Sequence, residues 1–521
     1  MRGTAQLPKR ETEQLLSRRT FVRTASLASA LAASGVSSAI WATPALAAPG
    51  FVPADLDLHL LRRATYGATK ASLDEIRSLG RTAWLDKQLR PSRINDSYST
   101  NLISDRYPNL SRSMADIWAE QTFDWITMFE LGQAAIARAT WSKRQLFEVM
   151  VDFWSNHLNV TNPFDGGWHC RHDYDKKVIR KHALGRFVDM LVASATHPAM
   201  MLYLNNAEST KDNPNENYGR EILELHSVGV DAGYDENDMR QSTLVLTGFG
   251  FDWNTGLFSY YGSNHHVGPV QVMGWSHTNG SANGGYDVGL SYVRYLARHP
   301  ATAHRIAYKL CQRFVSDVPP AGLVNSLANT YLANDTAIVP VLRKLFGSTA
   351  FKNSLGDKVR RPTEDVVATL RILGIKPDAG TGTDGIQGLY WMLEGLGNLP
   401  MSWGPPDGYP DVASAWAAAG GLLGRWNTHI SLAAHWWPDE LRQPPLENLL
   451  PSPLPPTHGP LINALAKKLV FRKLSTAHRD AVLGFLGETA SSPLDANDAA
   501  VTWRLPYVVA LILDSPYHEI R

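Results

Sequence analysis

Between Asn215 and Val230 the chain reads NENYGREILELHSVGV. Glu216, Arg220, Glu221, Glu224 and His226 are packed into little more than two helical turns. Asn217, Glu221 and Glu224 share one helical face at spacings of four and three,. Two carboxylates side by side can share a proton or a metal, and the one raised in pKa becomes an acid or base for catalysis. Arg220 and Glu224, four residues apart, also have the spacing of a helical ion pair,. The same residues could therefore form a partly buried network in which Asn217 caps or crosslinks. Spacing alone leaves both readings open.

Other polar groups could join them. FWSNHLNV places Asn156 and His157 at a helix end beside Trp154, and RKHALGRF supplies Arg180, His182 and Arg186. The run HCRHD offers His169, Cys170, His172 and Asp173, but its spacing matches no established zinc pattern, so no metal ligands are assigned there,. The polar loop SNHHVGPVQVMGWSHTNG carries His265, His266 and His277, better placed as ligands or catalysts than histidines in a helix core. HExxH, GxSxG, Walker A and CxxC motifs are absent,. The chain has 16 tryptophans, and Trp168, Trp253, Trp275 and Trp403 fall in loops where indole rings could stack on sugars,.

The elements that must position these groups are mainly helical. Apolar residues recur at helical spacing through DLDLHLLRRATYG, two short helices broken at Gly80, and the long region from Ser113 to Val160,. The same period continues through VIRKHALGRF, NYGREILELHSV, HPATAHRIAYKLCQRFV and PTEDVVATLRILGI. Residues 249–287 break the pattern, being rich in Gly, Asn and aromatics, and predict a β-hairpin or ordered loop inserted in the helical unit,. DNPNEN and SWGPPDGYPDVASAW are further irregular stretches, and residues 442–460 form a Pro-rich surface connection,. The expected organisation is one large mainly α domain over 48–521, with no internal repeat.

A formal net charge of +1 excludes the basic excess of a nucleic-acid-tracking surface,. Arg18 and Arg19, an Ala/Ser-rich apolar stretch and Ala45-Leu46-Ala47 predict a twin-arginine export signal over 1–47, cleaved near Ala47,. That stretch is too short and too polar to span a bilayer core of roughly 20 residues, so no stable membrane span is expected after cleavage. The expected location is periplasmic or extracellular. Cys170 and Cys311 could pair in such a compartment, but two cysteines cannot be the main staple of this chain,.

HLLRRATYGAT, VDFWSNHLNV, NPNENYGREILELHSVGV, LTGFGF, HHVGPVQVMG, HPATAHRIAYKLCQRFV and SWGPPDGYP, in this order, resemble the bacterial DUF1800 family from about Asp55 to the end of the chain. The resemblance implies an exported, largely helical protein, and a frequent neighbour of DUF1501 proteins, which look like relatives of the alkaline phosphatase and sulfatase group. It marks Arg63, Gly67, Asn156, His157, His182, Asn205, Asn206, Asn215, Glu216, Asn217, Arg220, Glu221, Glu224, Leu225, His226 and Gly229 as hallmark positions. Where the family reads His-Asp before a Gly, this chain has His265-His266, which puts any role of that Asp in doubt.

Three functions compete. The first is a hydrolase or lyase acting on an extracellular polysaccharide or other polymer. Glu216, Glu221, Glu224 and Asp165 would supply acid and base, with His157, His182 and His226 orienting them, and Asn156, Asn217, Arg220, His265 and the loop tryptophans binding substrate,. The second is a non-enzymatic partner or assembly factor for a co-exported DUF1501-like protein. The third is a metal- or haem-dependent oxidoreductase, motivated only by export and the histidines. No motif requires a cofactor, although a divalent metal is compatible with the residues.

Overall fold

The structure, a computed structural model, describes residues 51–521; the expected export signal lies outside them. Helices dominate, and the two small sheets are both antiparallel hairpins inside the irregular segment. β1 (Phe249–Asp252) pairs with β2 (Leu257–Tyr260), with Phe249 opposite Tyr260. β3 (Val270–Val272) pairs with β4 (Trp275–His277), with Val270 opposite His277. The mainly α fold with a β-hairpin insertion is thus what folds. Among the described residues no helix is long and apolar enough to cross a membrane.

Local chemistry sets the helix ends. Asp55 caps the Leu56–Ala64 helix by accepting from the amides of Asp57 and Leu58,. Gly80, at φ +81°, separates Lys70–Leu79 from Arg81–Gln88 at the predicted break,. The region expected to be continuously helical from Ser113 is three helices, Met114–Glu120, Ile126–Trp141 and Gln145–His157. Gln121 and Phe123 sit in left-handed backbone between the first two,. No glycine or proline marks that interruption in the sequence, which is why the periodicity ran across it.

Among the described residues two large apolar cores dominate, with two smaller clusters beside them. The larger gathers helices from Leu58 to Val367, with Trp154 fully buried in it and its indole N–H donating to the Ala183 carbonyl at 2.9 Å. The second gathers the helices from Val366 to Tyr517 together with Ile136 of the Ile126–Trp141 helix. The Pro362–Leu373 helix is the wall between them: Val367 belongs to the first, Val366, Leu370 and Leu373 to the second. Gly67 lets it approach, since a Cβ there would meet Ala368 at 2.8 Å. Cys170 and Cys311 are free thiols, both buried.

The Leu56–Ala64 helix is fastened from far along the chain. Arg63, fully buried, donates to the carbonyls of Val315 (3.2 Å) and Ser354 (2.6 Å). Arg62 donates to Val470 (3.1 Å) and Ile520 (3.3 Å). Residues 358–360 in turn pair with 519–521, Arg521 N–H reaching the Lys358 carbonyl at 2.8 Å.

Candidate functional site

The Gln145–His157 and Pro300–Phe314 helices and the loop 401–411 enclose a cavity of about 420 Å³. The loop is pinned by the residues that follow the first helix. Asn159 donates to the carbonyls of Trp403 (2.8 Å) and Pro405 (2.7 Å), and Asn162 N–H donates to the Met401 carbonyl at 2.9 Å. Tyr203 O–H donates to the Gly404 carbonyl. Gly408, at φ +75°, rides directly on the helix end, where a Cβ would lie 2.0 Å from the Asn156 carbonyl oxygen,. The Asn156 side chain accepts from Tyr409 N–H at 3.0 Å and donates to the Asp152 carbonyl at 2.8 Å. Asn156 therefore positions the loop, and its amide is already engaged on both sides.

Lys309 faces His157 in this cavity, its Nζ 3.4 Å from His157 Nδ1. The other ring nitrogen, Nε2, lies 3.1 Å from the His226 carbonyl. A carbonyl only accepts, so Nε2 carries the proton and Nδ1 presents its lone pair to Lys309. Burial, helped by the Lys309 and Arg305 charges, holds the His157 ring well below its usual pKa and therefore neutral. Burial and the Arg305 charge likewise pull Lys309 down to about 7, against the opposing pull of Asp407 and Asp411,. An amine poised near neutral pH, with one N–H committed to His157, can present its lone pair to a bound molecule.

Three carboxylates line the same cavity. Asp152 is bound by Arg361, and Asp411 is held far below the usual carboxylate range, burial being outweighed by Lys358 and Arg313. Asp407 accepts from the indole N–H of Trp403 at 2.7 Å, which fixes both on the loop. Behind them Glu364 bridges Arg313 (2.5 Å) and Arg521 (3.1 Å). Burial alone would raise Glu364, but Arg313, Arg521 and Arg361 hold it at about 2.

The sequence candidates divide accordingly. Asn156, His157 and Trp403 line the cavity. His226 is fully buried behind His157, joined to it through its backbone carbonyl, and burial with Lys309 and Arg305 drives its ring down to about 3. Glu221 is half-buried; its carboxyl is raised by burial, then by Glu224, and Asp407 adds to the effect. It thus belongs to the cavity electrostatically without lining it.

The remaining candidates lie elsewhere. Arg220 sits 3.5 Å from Glu216, 3.6 Å from Glu224 and 3.6 Å from Glu236, so Glu216 and Glu224 belong to a solvent-facing ion-pair group, and Asn217 is exposed beside it. His182 is half-buried in the turn before Phe187, and Asp165 starts a short 3-10 turn. His265, expected in an open loop, is buried between the Thr247 carbonyl (2.8 Å) and the Asn279 side-chain oxygen (2.9 Å), where it braces the hairpin insertion. Trp168 is buried against Trp118, Trp275 packs on Tyr292, and only Trp253 of these three is largely exposed. His169 and His172 each meet a backbone carbonyl, of Gly256 and Arg112, so HCRHD forms no common ligand set.

Sequence reasoning missed Lys309, Asp407 and Tyr409, although all three lie inside quoted segments. The available signal was Lys309 amid the apolar stripe Ile306, Leu310, Phe314, and the Pro-Pro-Asp-Gly turn.

The class set by fold and site is a helical protein with a polar cavity built across distant segments. The chain belongs to the family described as "Protein of unknown function (DUF1800)", whose model matches residues 59–520. No curated protein and no solved structure matches it.

Proposed function

We propose that this protein is an exported hydrolase or lyase that acts on a polysaccharide or other polymer by acid–base chemistry in the Lys309 cavity. The observation that supports this reading is the Lys309–His157 couple opening on that cavity. Lys309 is the proton-transfer group, and His157 positions it through Nδ1. Asp407 is the carboxylate on the cavity loop, with Glu221 acting on it only through its charge, and Trp403 and Tyr409, whose rings lie 5.1 Å apart, offer faces for a sugar ring,. This moves the acid–base role from the Glu221/Glu224 pair to an amine and a different carboxylate. The test is a polymer panel followed by reducing-end release and ultraviolet absorbance of unsaturated products. For any substrate turned over, Lys309→Met should cost roughly 10²–10⁴-fold in kcat with the Tm retained. In the wild type, kcat/KM should rise with pH through about 7 as the amine deprotonates,. Full activity in Lys309→Met would end this assignment.

The partner reading has its own support. Phe123 and Trp253 are 58% and 63% exposed and flank the buried pair Trp118 and Trp168. An exposed aromatic patch of this kind suits a protein surface, and a co-exported DUF1501-like protein is the partner proposed for it. Co-purification lost in Phe123→Ser with Trp253→Ser supports that second role, and it is compatible with catalysis in the cavity.

A further inference from the structure

Beyond the cavity, three ligand-type side chains from distant segments meet in the second core. Asp365 comes from the Pro362–Leu373 helix, His429 from Ala419–Ala433 and His518 from Pro516–Glu519. One oxygen or nitrogen from each lies within 4.8 Å of the other two, and all three residues are buried. We propose that Asp365, His429 and His518 form a binding site for one divalent transition-metal ion of the zinc class. Two imidazoles and one carboxylate are the donor set such ions take, whereas calcium and magnesium prefer oxygen alone.

The distances also match those between ligands of a shared ion. His429 Nε2 stands 3.1 Å from Asp365 Oδ2, and His518 Nε2 stands 3.2 Å from Asp365 Oδ1. Charge-assisted hydrogen bonds of this kind run about 2.7–2.9 Å. Ligands each about 2.0–2.1 Å from a common ion are roughly 2.8–3.0 Å apart in octahedral and 3.3–3.4 Å apart in tetrahedral geometry. The opposite nitrogen of His429, Nδ1, lies 2.8 Å from Asp514 Oδ1, which is hydrogen-bond length. A metal-bound histidine whose far N–H is held by a carboxylate is the usual outer arrangement, and it aims Nε2 at the ion.

Asp365 offers one oxygen to each imidazole, and Thr369 Oγ1 stands 3.2 Å from His518 Nε2 at the edge of the donor set. Bound there, the ion would clamp the helices of Asp365 and His429 to the segment carrying His518.

The test uses the whole chain, freed of metal by chelation and then offered Co²⁺ alone. The expected result is one Co²⁺ per chain, with the visible absorption of nitrogen–oxygen ligation and a Tm that rises with added Co²⁺. Affinity should fall at least 100-fold in His518→Gln and Asp365→Asn, and about 10- to 100-fold in Asp514→Asn, which leaves the ligands in place. Folded wild-type protein that binds no Co²⁺ overturns the proposal whatever the variants do. So does binding of undiminished affinity in folded His518→Gln and Asp365→Asn.

Discussion

Two helices of this protein carry the same kinds of charged side chain and treat them in opposite ways. The Glu216–Glu224 helix holds Arg220 at 3.5–3.6 Å from its own Glu216 and Glu224 and from Glu236 of the following helix, in a solvent-facing group with Glu216 57% exposed. The Pro362–Leu373 helix buries Glu364 and Asp365 between two cores, with Arg313 only 2.5 Å from Glu364. In water, a loose ion pair gains little because the solvent already satisfies both charges. Between two apolar cores the same charges must be fully paired, and removing one partner strands the others. The residues best suited to a structural network are therefore those of the second helix, and the solvent-facing set of the first is left free to change partners.

That contrast can be broken at several points. The largest effect is expected from Glu364→Ala, which leaves Arg313 and Arg521 without their shared carboxylate and should cost about 3–5 kcal/mol in urea unfolding at pH 7. The sign with pH follows from the folded pKa of about 2 against an ordinary 4.5. Stability from Glu364 is fully present above pH 4.5 and is lost as the pH falls toward 2, so the gap between variant and wild type should close over that range. A smaller loss, about 1–3 kcal/mol, is expected from Gly408→Ala, which tests burial by shape alone: its Cβ would strike the Asn156 carbonyl,. The smallest belongs to Arg220→Ala, expected to change stability by about 0.5 kcal/mol or less and to fade in high salt. An Arg220→Ala loss above about 2 kcal/mol would show that the two helices do not differ as described.

Much of the fold was legible because period and punctuation agreed. Gly80 broke the helices where the sequence said it would, and the Gly/Asn-rich stretch from Phe249 became two hairpins. The Gln121 break was not legible, because left-handed backbone at a glutamine leaves no compositional mark. The candidate site was half legible. His157 and Asn156 were found from their type and their place at a helix end, and both line the cavity. Glu224 and Glu216 were attractive for the same reason, but helical spacing reports which residues share a face and not whether that face is buried. Lys309 escaped notice because a lysine in an amphipathic helix reads as surface, and only burial beside Arg305 changes its chemistry. His265 showed the converse, a polar-looking loop residue tied down on both ring nitrogens.

The fastening of Arg62 has a consequence in time. Its guanidinium reaches carbonyls at Val470 and Ile520, more than 400 residues away along the chain. Closing so long a loop adds little to the equilibrium cost, since each doubling of length adds only about 0.6 kcal/mol. The search for such remote contacts is what slows folding. Until that pairing is made, Arg62 lacks these carbonyls, and the docking of the Leu56–Ala64 helix onto the C-terminal segments is expected among the late steps of folding.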